Sequence, residues 1–290
     1  MYDVIIIGKG PAGLSASLYT ARANLKTLIL GKNDSRLKKA DKVDNYFGFS
    51  QTVSGEKLLQ EGEQQALRFG VEIVEDEVIS LKKEDYFEVT ASKQKYMAKA
   101  ILLATGQPEK KVSVEKLSEF EGRGVSYCAT CDGFFYNNLK VGVLGYKDYA
   151  IHEATDLLAN TGDIVIYTNG KELEISEGYK EAAARFKVVT KPVAKLDGGE
   201  FLQRIHFKDG TSDEIDGLFV AYGSASTLDF ARTTGILADG STIVVDKKQQ
   251  TNLEGVFAAG DCTSALKQVS VSVGQGAIAG KAITEYVRSL

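Results

Sequence analysis

The chain has 290 residues, 43% of them hydrophobic and 26% charged, with a formal net charge of −4, which is enough for one large core and more readily for two domains. The balance excludes a nucleic-acid binder, because Lys38-Lys39 and Lys110-Lys111 are short solvated pairs and no basic block is interleaved with aromatics. It also excludes a membrane span, since no apolar run is long enough, and the first residues enter a strand without a charged leader, so the expected location is cytoplasmic.

Tyr2 to Ile7 is an apolar, β-branched run that leads into Gly8-Lys9-Gly10-Pro11-Ala12-Gly13. A helical pattern through Ser15, Leu18, Tyr19 and Arg22 follows. Strand, glycine turn and helix are the context in which G-x-G-x-x-G marks a dinucleotide site. Gly8 permits the tight turn, Gly10 admits a pyrophosphate, Gly13 lets the helix pack on the strand, and the helix N-terminus supplies the positive field. The next strand, Thr27 to Leu30, is expected to end near an acid for a ribose hydroxyl, and Asp34 is the only acid nearby.

Asp44 to Phe49 is an aromatic loop whose rings core packing would explain, with Asn45 as a polar group for a planar ligand. A helix is predicted over Gly55 to Phe69. Strands are predicted over Val71 to Val74, Val78 to Leu81, Phe87 to Thr90 and Ala100 to Ala104, and the last ends at Thr105-Gly106, a turn suited to the same nucleotide. After Pro108 the composition turns charged and irregular, as at a crossing between domains.

Cys128-Ala129-Thr130-Cys131-Asp132-Gly133-Phe134-Phe135 then holds two of the three cysteines. A structural zinc wants four Cys or His ligands, and the chain offers only the distant Cys262, His152 and His206, so no metal is expected. Three cysteines make no disulfide framework, and in a reducing compartment the pair more readily cycles than staples. Thiol-disulfide exchange needs a thiolate to attack and a proton donor for the one that leaves. Asp132 is the candidate donor.

A second unit follows: strand Lys140 to Leu144, a turn at Gly145, helix Ala150 to Asn160 and strand Ile164 to Tyr167. Its turn reads Gly145-Tyr146-Lys147-Asp148-Tyr149-Ala150, with side chains where backbone should touch a pyrophosphate. The next strand runs into Thr168-Asn169-Gly170 without the arginines that hold an NADP 2′-phosphate. The fold is kept and its nucleotide signature eroded, so NADPH binding is not expected, although Lys147 could meet a phosphate as a point charge. Residues 186–222 read as alternating strands ending in Leu218 to Ala221. Val256 to Asp261 is a small-residue strand ending in Gly260-Asp261, which suits a close approach to a polyol, and Lys267 to Gly280 opens a C-terminal helix.

Taken together, these motifs resemble the low-molecular-weight thioredoxin reductases, FAD-containing relatives of the larger pyridine-nucleotide disulfide oxidoreductases. The resemblance spans the chain: Gly8 to Gly13, Asn45 with Tyr46 to Phe49, Ala104 to Gly106, the CxxC octet, Gly255 to Asp261 and Lys267-Gln268. It implies an α/β fold of two Rossmann-like domains, the second inserted in the first. The FAD domain is then 1–109 with 238–290, and the CxxC-bearing domain 112–237. It further implies non-covalent FAD, a homodimer, and a swivel that carries the disulfide between flavin and thioredoxin. By position, Gly8, Gly10, Pro11, Ala12, Gly13, Thr105 and Gly106 line the nucleotide, Gly260 and Asp261 the ribityl or phosphate portion, and Asn45, Lys267 and Gln268 the flavin end. Cys131 faces the flavin, Cys128 attacks the thioredoxin disulfide, and Asp132 is acid/base.

Two departures stand out: Lys32 to Leu37 lacks the glycine-rich stretch usual near FAD, and Lys267 replaces an arginine. The larger departure, at Tyr146, Lys147 and Thr168 to Gly170, resembles the pyridine-nucleotide-independent branch, in which ferredoxin is the donor. The direction is favourable, since a plant-type ferredoxin near about −400 mV and thioredoxin near about −270 mV give roughly 6 kcal/mol for two electrons. An NADPH-dependent thioredoxin reductase, an oxygen-using flavin dithiol oxidase and a non-enzymatic flavoprotein redox sensor are the competing readings. Cys262 is expected to be a packed residue.

Overall fold

The computed structural model describes residues 1–106 and 112–290, so the crossing expected after Pro108, with Lys110-Lys111, lies partly outside the described residues. The chain divides into two compact units, Met1–Pro108 with Ser226–Leu290, and Glu109–Ala225.

The first unit opens with β1 (Tyr2–Ile7), α1 (Pro11–Arg22), β2 (Thr27–Gly31), α2 (Gly55–Arg68), β3 (Glu72–Glu75), β4 (Val78–Lys83), β5 (Phe87–Ala91) and β6 (Lys95–Leu103). Val4 to Ile6 and Ala100 to Leu103 are fully buried, as continuous apolar runs are in central strands covered on both faces; α1, α2 and the C-terminal helix pack together over Val4, Ile6, Ala100 and Leu102. Pro11 occupies the first turn of α1, where its missing N–H costs no hydrogen bond. Ser54 caps α2 by accepting the Lys57 N–H at 3.2 Å, one of the donors a helix start leaves unpaired.

In the second unit come β7 (Val125–Ser126), α3 (Ala129–Asp132), β8 (Val141–Leu144), α4 (Asp148–Leu157), β9 (Ile164–Tyr167), α5 (Lys180–Ala183) and β10 (Lys187–Val189). β11 (Val193–Gly198), β12 (Leu202–Phe207), β13 (Ser212–Glu214) and β14 (Gly217–Val220) complete it. The five-stranded sheet has order β10-β9-β8-β14-β7, and β11-β12-β13 form an antiparallel sheet of three. The predicted helix at Ala150 begins earlier, at Asp148.

The chain then returns to the first unit through α6 (Thr227–Thr234), β15 (Ala238–Asp239), β16 (Thr242–Ile243), β17 (Val256–Ala258) and α7 (Val269–Ser289). The sequence division at 238 assigns α6 to the central segment; in the structure α6 packs against β4 and β16. A capping box between Ser226 and Asp229 starts that helix and left-handed Gly235 ends it, two local signals that fix a short helix independently of its neighbours.

The first sheet has order β3-β2-β1-β6-β5-β4, with β17 also on β6. β1 lies between β2 and β6, parallel to both, so the strand order reverses there and opens the crevice at the strand C-terminal ends where such sheets take ligands. Helices α1 and α7 pack tightly on each other, and a β-carbon added at Gly276 would stand 2.2 Å from Ala12 O. Among the described residues no helix is long and apolar enough to cross a membrane.

Candidate functional site

Two of the glycines in the first turn are explained by the protein itself. A β-carbon on Gly8 would lie 2.3 Å from Ala104 O, and one on Gly13 would lie 2.0 Å from Gly8 O. Gly10 differs: its backbone is extended, at φ −84° and ψ −175°, and a β-carbon there would meet nothing within 4 Å. Packing does not explain Gly10, which leaves room for a ligand against bare backbone.

Residues far apart in sequence converge on this turn. Gly8 abuts Ala104 and Thr105, and Gly260 abuts Ala12, to whose Cβ an added β-carbon would stand at 3.0 Å. The Gly260 N–H donates to Gln275 Oε1 at 2.8 Å, and Ser272 Oγ lies 3.4 Å from Asp261 Oδ1. Asn45 Nδ2 donates to Gln268 Oε1 at 2.9 Å, joining two of the residues expected at the flavin end. Thr105 is tied to Thr227 through their hydroxyls, Gly106 turns with φ +73°, and Lys267 is exposed.

Asp34 is paired with Lys32 at 3.0 Å. The groups nearer the turn are Lys9 and Asn33, joined Nζ to Oδ1, with Lys9 also 3.3 Å from Glu63 Oε1. The sequence search was for an acid, so this lysine and amide pair was missed. Their signal is Gly31, where an added β-carbon would stand 2.8 Å from Lys9 N. The aromatic loop also departs from expectation: Phe47 is 97% exposed and Phe49 51%, so core packing does not account for its rings.

The redox segment lies wholly in the second unit. Cys128 and Cys131 form a disulfide with Cα atoms 5.3 Å apart. Cys128 is buried, at 4% exposed, and Cys131 is exposed; an attack by Cys128 on a partner disulfide therefore requires its sulfur to be uncovered. The Cys131 N–H points at Cys128 Sγ at 3.1 Å. Asp132 donates its N–H to Cys128 O at 3.1 Å, and its Oδ2 accepts the Ser126 hydroxyl at 2.6 Å. Buried Glu153 of α4 accepts the Ala129 N–H at 2.7 Å. The Tyr136 hydroxyl titrates above its ordinary range, first because it is buried and then because of the Asp132 charge.

The second glycine turn is filled by the protein. Gly145 is required by packing, since an added β-carbon would lie 2.1 Å from Ala221 O. Tyr146 stacks edge-on against Tyr222 with ring centres 5.1 Å apart, and Lys147 Nζ sits 5.5 Å from the Tyr146 ring centre. Tyr146 O accepts the Glu174 N–H at 2.7 Å, and Lys147 and Glu174 form a bridge of parallel strand type. Asp148, 6% exposed in the first turn of α4, accepts the Ser176 N–H on Oδ1 at 2.7 Å. A pyrophosphate would meet a phenol, a strap at 174–176 and a buried acid. Beyond β9, Thr168 Oγ1 bonds Lys171 O at 2.5 Å and Asn169 Oδ1 takes the Val193 N–H at 2.8 Å.

Cys262 is buried with Sγ 3.3 Å from Ala259 O, and burial pushes its thiol up to about 12. It lies in the first unit, in the core. Among the described residues, no three of His, Cys, Asp and Glu gather as a metal site would require.

Two Rossmann-like units, a CxxC disulfide in the second and a glycine crevice in the first define a flavin-type disulfide oxidoreductase. The profile of the family described as Pyridine nucleotide-disulphide oxidoreductase matches residues 2–276, and the chain belongs to that family, within its low-molecular-weight thioredoxin reductase group. It is 33% identical to the thioredoxin reductase of Listeria monocytogenes, an alignment covering 100% of this chain and 95% of that one. Among solved structures it is similar to the atypical thioredoxin reductase TRi from Desulfovibrio vulgaris Hildenborough, at 40% identity and TM-score 0.96, covering 100% and 99% of the two chains. It is also similar to a ferredoxin-flavin thioredoxin reductase from Clostridium acetobutylicum, at 29% identity and TM-score 0.73 over 100% and 99%. The family implies FAD, and the first unit fits that group: a β-carbon on Gly10 would meet nothing within 4 Å, so a pyrophosphate would have room there against bare backbone.

Proposed function

We propose that the protein reduces the disulfide of thioredoxin through Cys128 and Cys131, with FAD held by the first unit, and that its electrons come from reduced ferredoxin rather than from NADPH. FAD, when bound, accepts electrons singly and passes them on as a pair. Gly8, Gly10, Pro11, Ala12, Gly13, Thr105 and Gly106 would line its dinucleotide portion, Gly260 and Asp261 the ribityl and phosphate region, and Asn45, Lys267 and Gln268 the flavin end. Cys131 takes the electrons, Cys128 attacks the thioredoxin disulfide, and Asp132 supplies the proton to the sulfur that leaves. A homodimer in the cytoplasm belongs to the same reading.

The observation that carries the choice of donor is the contact of Asp148 with Ser176, together with Tyr146 packed on Tyr222. A carboxylate already occupies the helix start where a nucleotide phosphate would be held. The similarity to a protein named ferredoxin-flavin thioredoxin reductase supports the reading; relatives named simply thioredoxin reductase support only its disulfide half.

The test is anaerobic. The flavoprotein is mixed with excess NADPH or NADH, then with reduced ferredoxin and oxidised thioredoxin, while flavin absorbance and new thiols are followed. Flavin that stays oxidised with pyridine nucleotides, and thiols that appear with ferredoxin, are the expected result. Rapid bleaching by NADPH overturns the choice of donor. Peroxide formation from a small dithiol, without thioredoxin reduction, would favour a dithiol oxidase.

A further inference from the structure

Ser126 is the last residue of β7, two positions before the first cysteine, and the reaction so far gives it no role. It is buried and touches three groups of the redox segment. The Cys128 N–H donates to Ser126 Oγ at 3.1 Å, the hydroxyl donates to Asp132 Oδ2 at 2.6 Å, and Cys128 O stands 3.4 Å from Ser126 Oγ.

A hydroxyl carries one proton and two lone pairs. The Cys128 N–H uses one lone pair, so the proton has to choose between two acceptors. While Asp132 is ionised, the proton serves Oδ2 in a short charge-assisted bond. When Asp132 carries a proton on Oδ2, that proton can donate to the second lone pair of Ser126, and the serine proton turns to Cys128 O. Neither arrangement leaves a buried group unpaired, which would otherwise cost about 1–3 kcal/mol.

We propose that Ser126 is a positioning residue of the thiol-disulfide site, a hydroxyl rotor that grips the Asp132 carboxyl by Oδ2 in both of its protonation states. The proposal rests on the redox reading of Cys128 and Cys131 given under Proposed function. In the exchange, the Cys128 thiolate attacks a partner disulfide, forming one S–S bond and breaking another, and the expelled sulfur takes the proton of Asp132. Cys131 then attacks Cys128, the disulfide reforms, and the second partner sulfur leaves with the proton that Cys131 sheds. Two protons and two electrons pass to the partner. Ser126 touches no reacting sulfur in this scheme; it holds Oδ2 in both states, so the carboxyl keeps one orientation, and as the proton leaves Oδ2 for the expelled sulfur the serine hydroxyl turns back from Cys128 O to that oxygen.

A purely structural serine would affect folding and leave the proton step alone, so the test reads pH dependence. Full-length flavoprotein, wild type and Ser126→Ala, Ser126→Thr and Asp132→Asn, is reduced, and the alkylation rate of Cys128 and Cys131 by iodoacetamide is measured against pH by mass spectrometry. Thioredoxin disulfide reduction is measured alongside. Ser126→Ala is expected to displace the midpoint of the alkylation profile by about one unit, roughly tenfold in rate on the slope. Ser126→Thr, which keeps the hydroxyl, restores the profile, and Ser126→Ala adds nothing once Asp132→Asn is present. A superposable profile in Ser126→Ala overturns the proposal, as does an equal loss at every pH that threonine does not restore, or effects that add in the double variant. Should the alanine variant fail to fold, Ser126→Gly takes its place with the same expectations. Wild-type protein that exchanges no disulfide removes the redox reading itself, whereas a wild type that cycles beside an unshifted variant removes only the rotor.

Discussion

Asp148 Oδ1 accepts the backbone N–H of Ser176 at 2.7 Å, so the second Rossmann-like unit closes the start of its own α4 with its own acid. Removing the charge alone does not reopen the turn, because Tyr146 still packs on Tyr222 and still accepts the Glu174 N–H. NADPH and NADH are therefore expected to show no binding by calorimetry at concentrations on the order of 1 mM, a level that would reveal interactions as weak as about −4 kcal/mol. Asp148→Asn should behave the same way. Saturable micromolar binding to the wild type would defeat the occlusion argument.

The contrast between Gly10 and Gly13 separates ligand from packing. An alanine at Gly13 drives a β-carbon into Gly8 O at 2.0 Å, whereas one at Gly10 meets only open space. Gly13→Ala is expected to destabilise the protein by about 2 kcal/mol or more through overpacking. Gly10→Ala should leave urea unfolding of the flavin-free protein within about 0.5 kcal/mol of wild type, while flavin retained through gel filtration falls sharply. Equal flavin content in Gly10→Ala and wild type would mean that the open space is not where the dinucleotide lies.

Much of this arrangement was readable in the residues. Near-continuous apolar runs gave β1 and the end of β6, and the glycine spacing with Pro11 gave α1, because burial on both faces and a fixed turn leave few other solutions. The eroded second turn was visible as Tyr146 and Lys147, yet the strap at 174–176 that covers it was not: it is held by backbone N–H groups, Glu174 to Tyr146 O and Ser176 to Asp148 Oδ1, each 28 residues away, and no side-chain pattern within the strap announces them. Lys9 escaped for a related reason. In a turn read for its glycines, the residue between them looks free, and only the structure shows its ammonium drawn to Asn33 and Glu63. The helix α6 itself was legible in principle from Ser226, Asp229 and Gly235, but a short helix bounded by loops does not tell from sequence which core it joins.

The bond from Asn45 Nδ2 to Gln268 Oε1, 2.9 Å long, joins two exposed side chains. Such a bond contributes about 0.5–1.5 kcal/mol at most, so Asn45→Ala should barely alter the denaturation midpoint. If the pair meets the flavin, the same variant is expected to shift the flavin absorbance maxima and to shed FAD faster on dilution. An unchanged spectrum with unchanged retention would place the flavin end elsewhere.

Cys262 offers a pH test with a defined sign. Burial raises its thiol from an ordinary value of 9.0 to about 12, so the folded protein keeps the proton over a range in which the unfolded chain releases it. The contribution is complete below about pH 9 and declines as pH rises towards 12, by up to about 1.4 kcal/mol per unit. Tyr2 is also raised to about 12, by burial first and then by its bond to Glu72, and it adds a slope of the same sense; only the difference between proteins isolates the thiol. Cys262→Ser should therefore lose less stability than wild type between pH 9 and 11 in urea titrations. At neutral pH the native wild type, oxidised, should show no thiol that reacts rapidly with an aromatic disulfide reagent; after mild reduction the exposed Cys131 should react fast and the buried Cys128 more slowly, and Cys262 only in denaturant. Rapid reaction of Cys262 in the folded, oxidised protein would contradict its burial and reopen it as a redox partner.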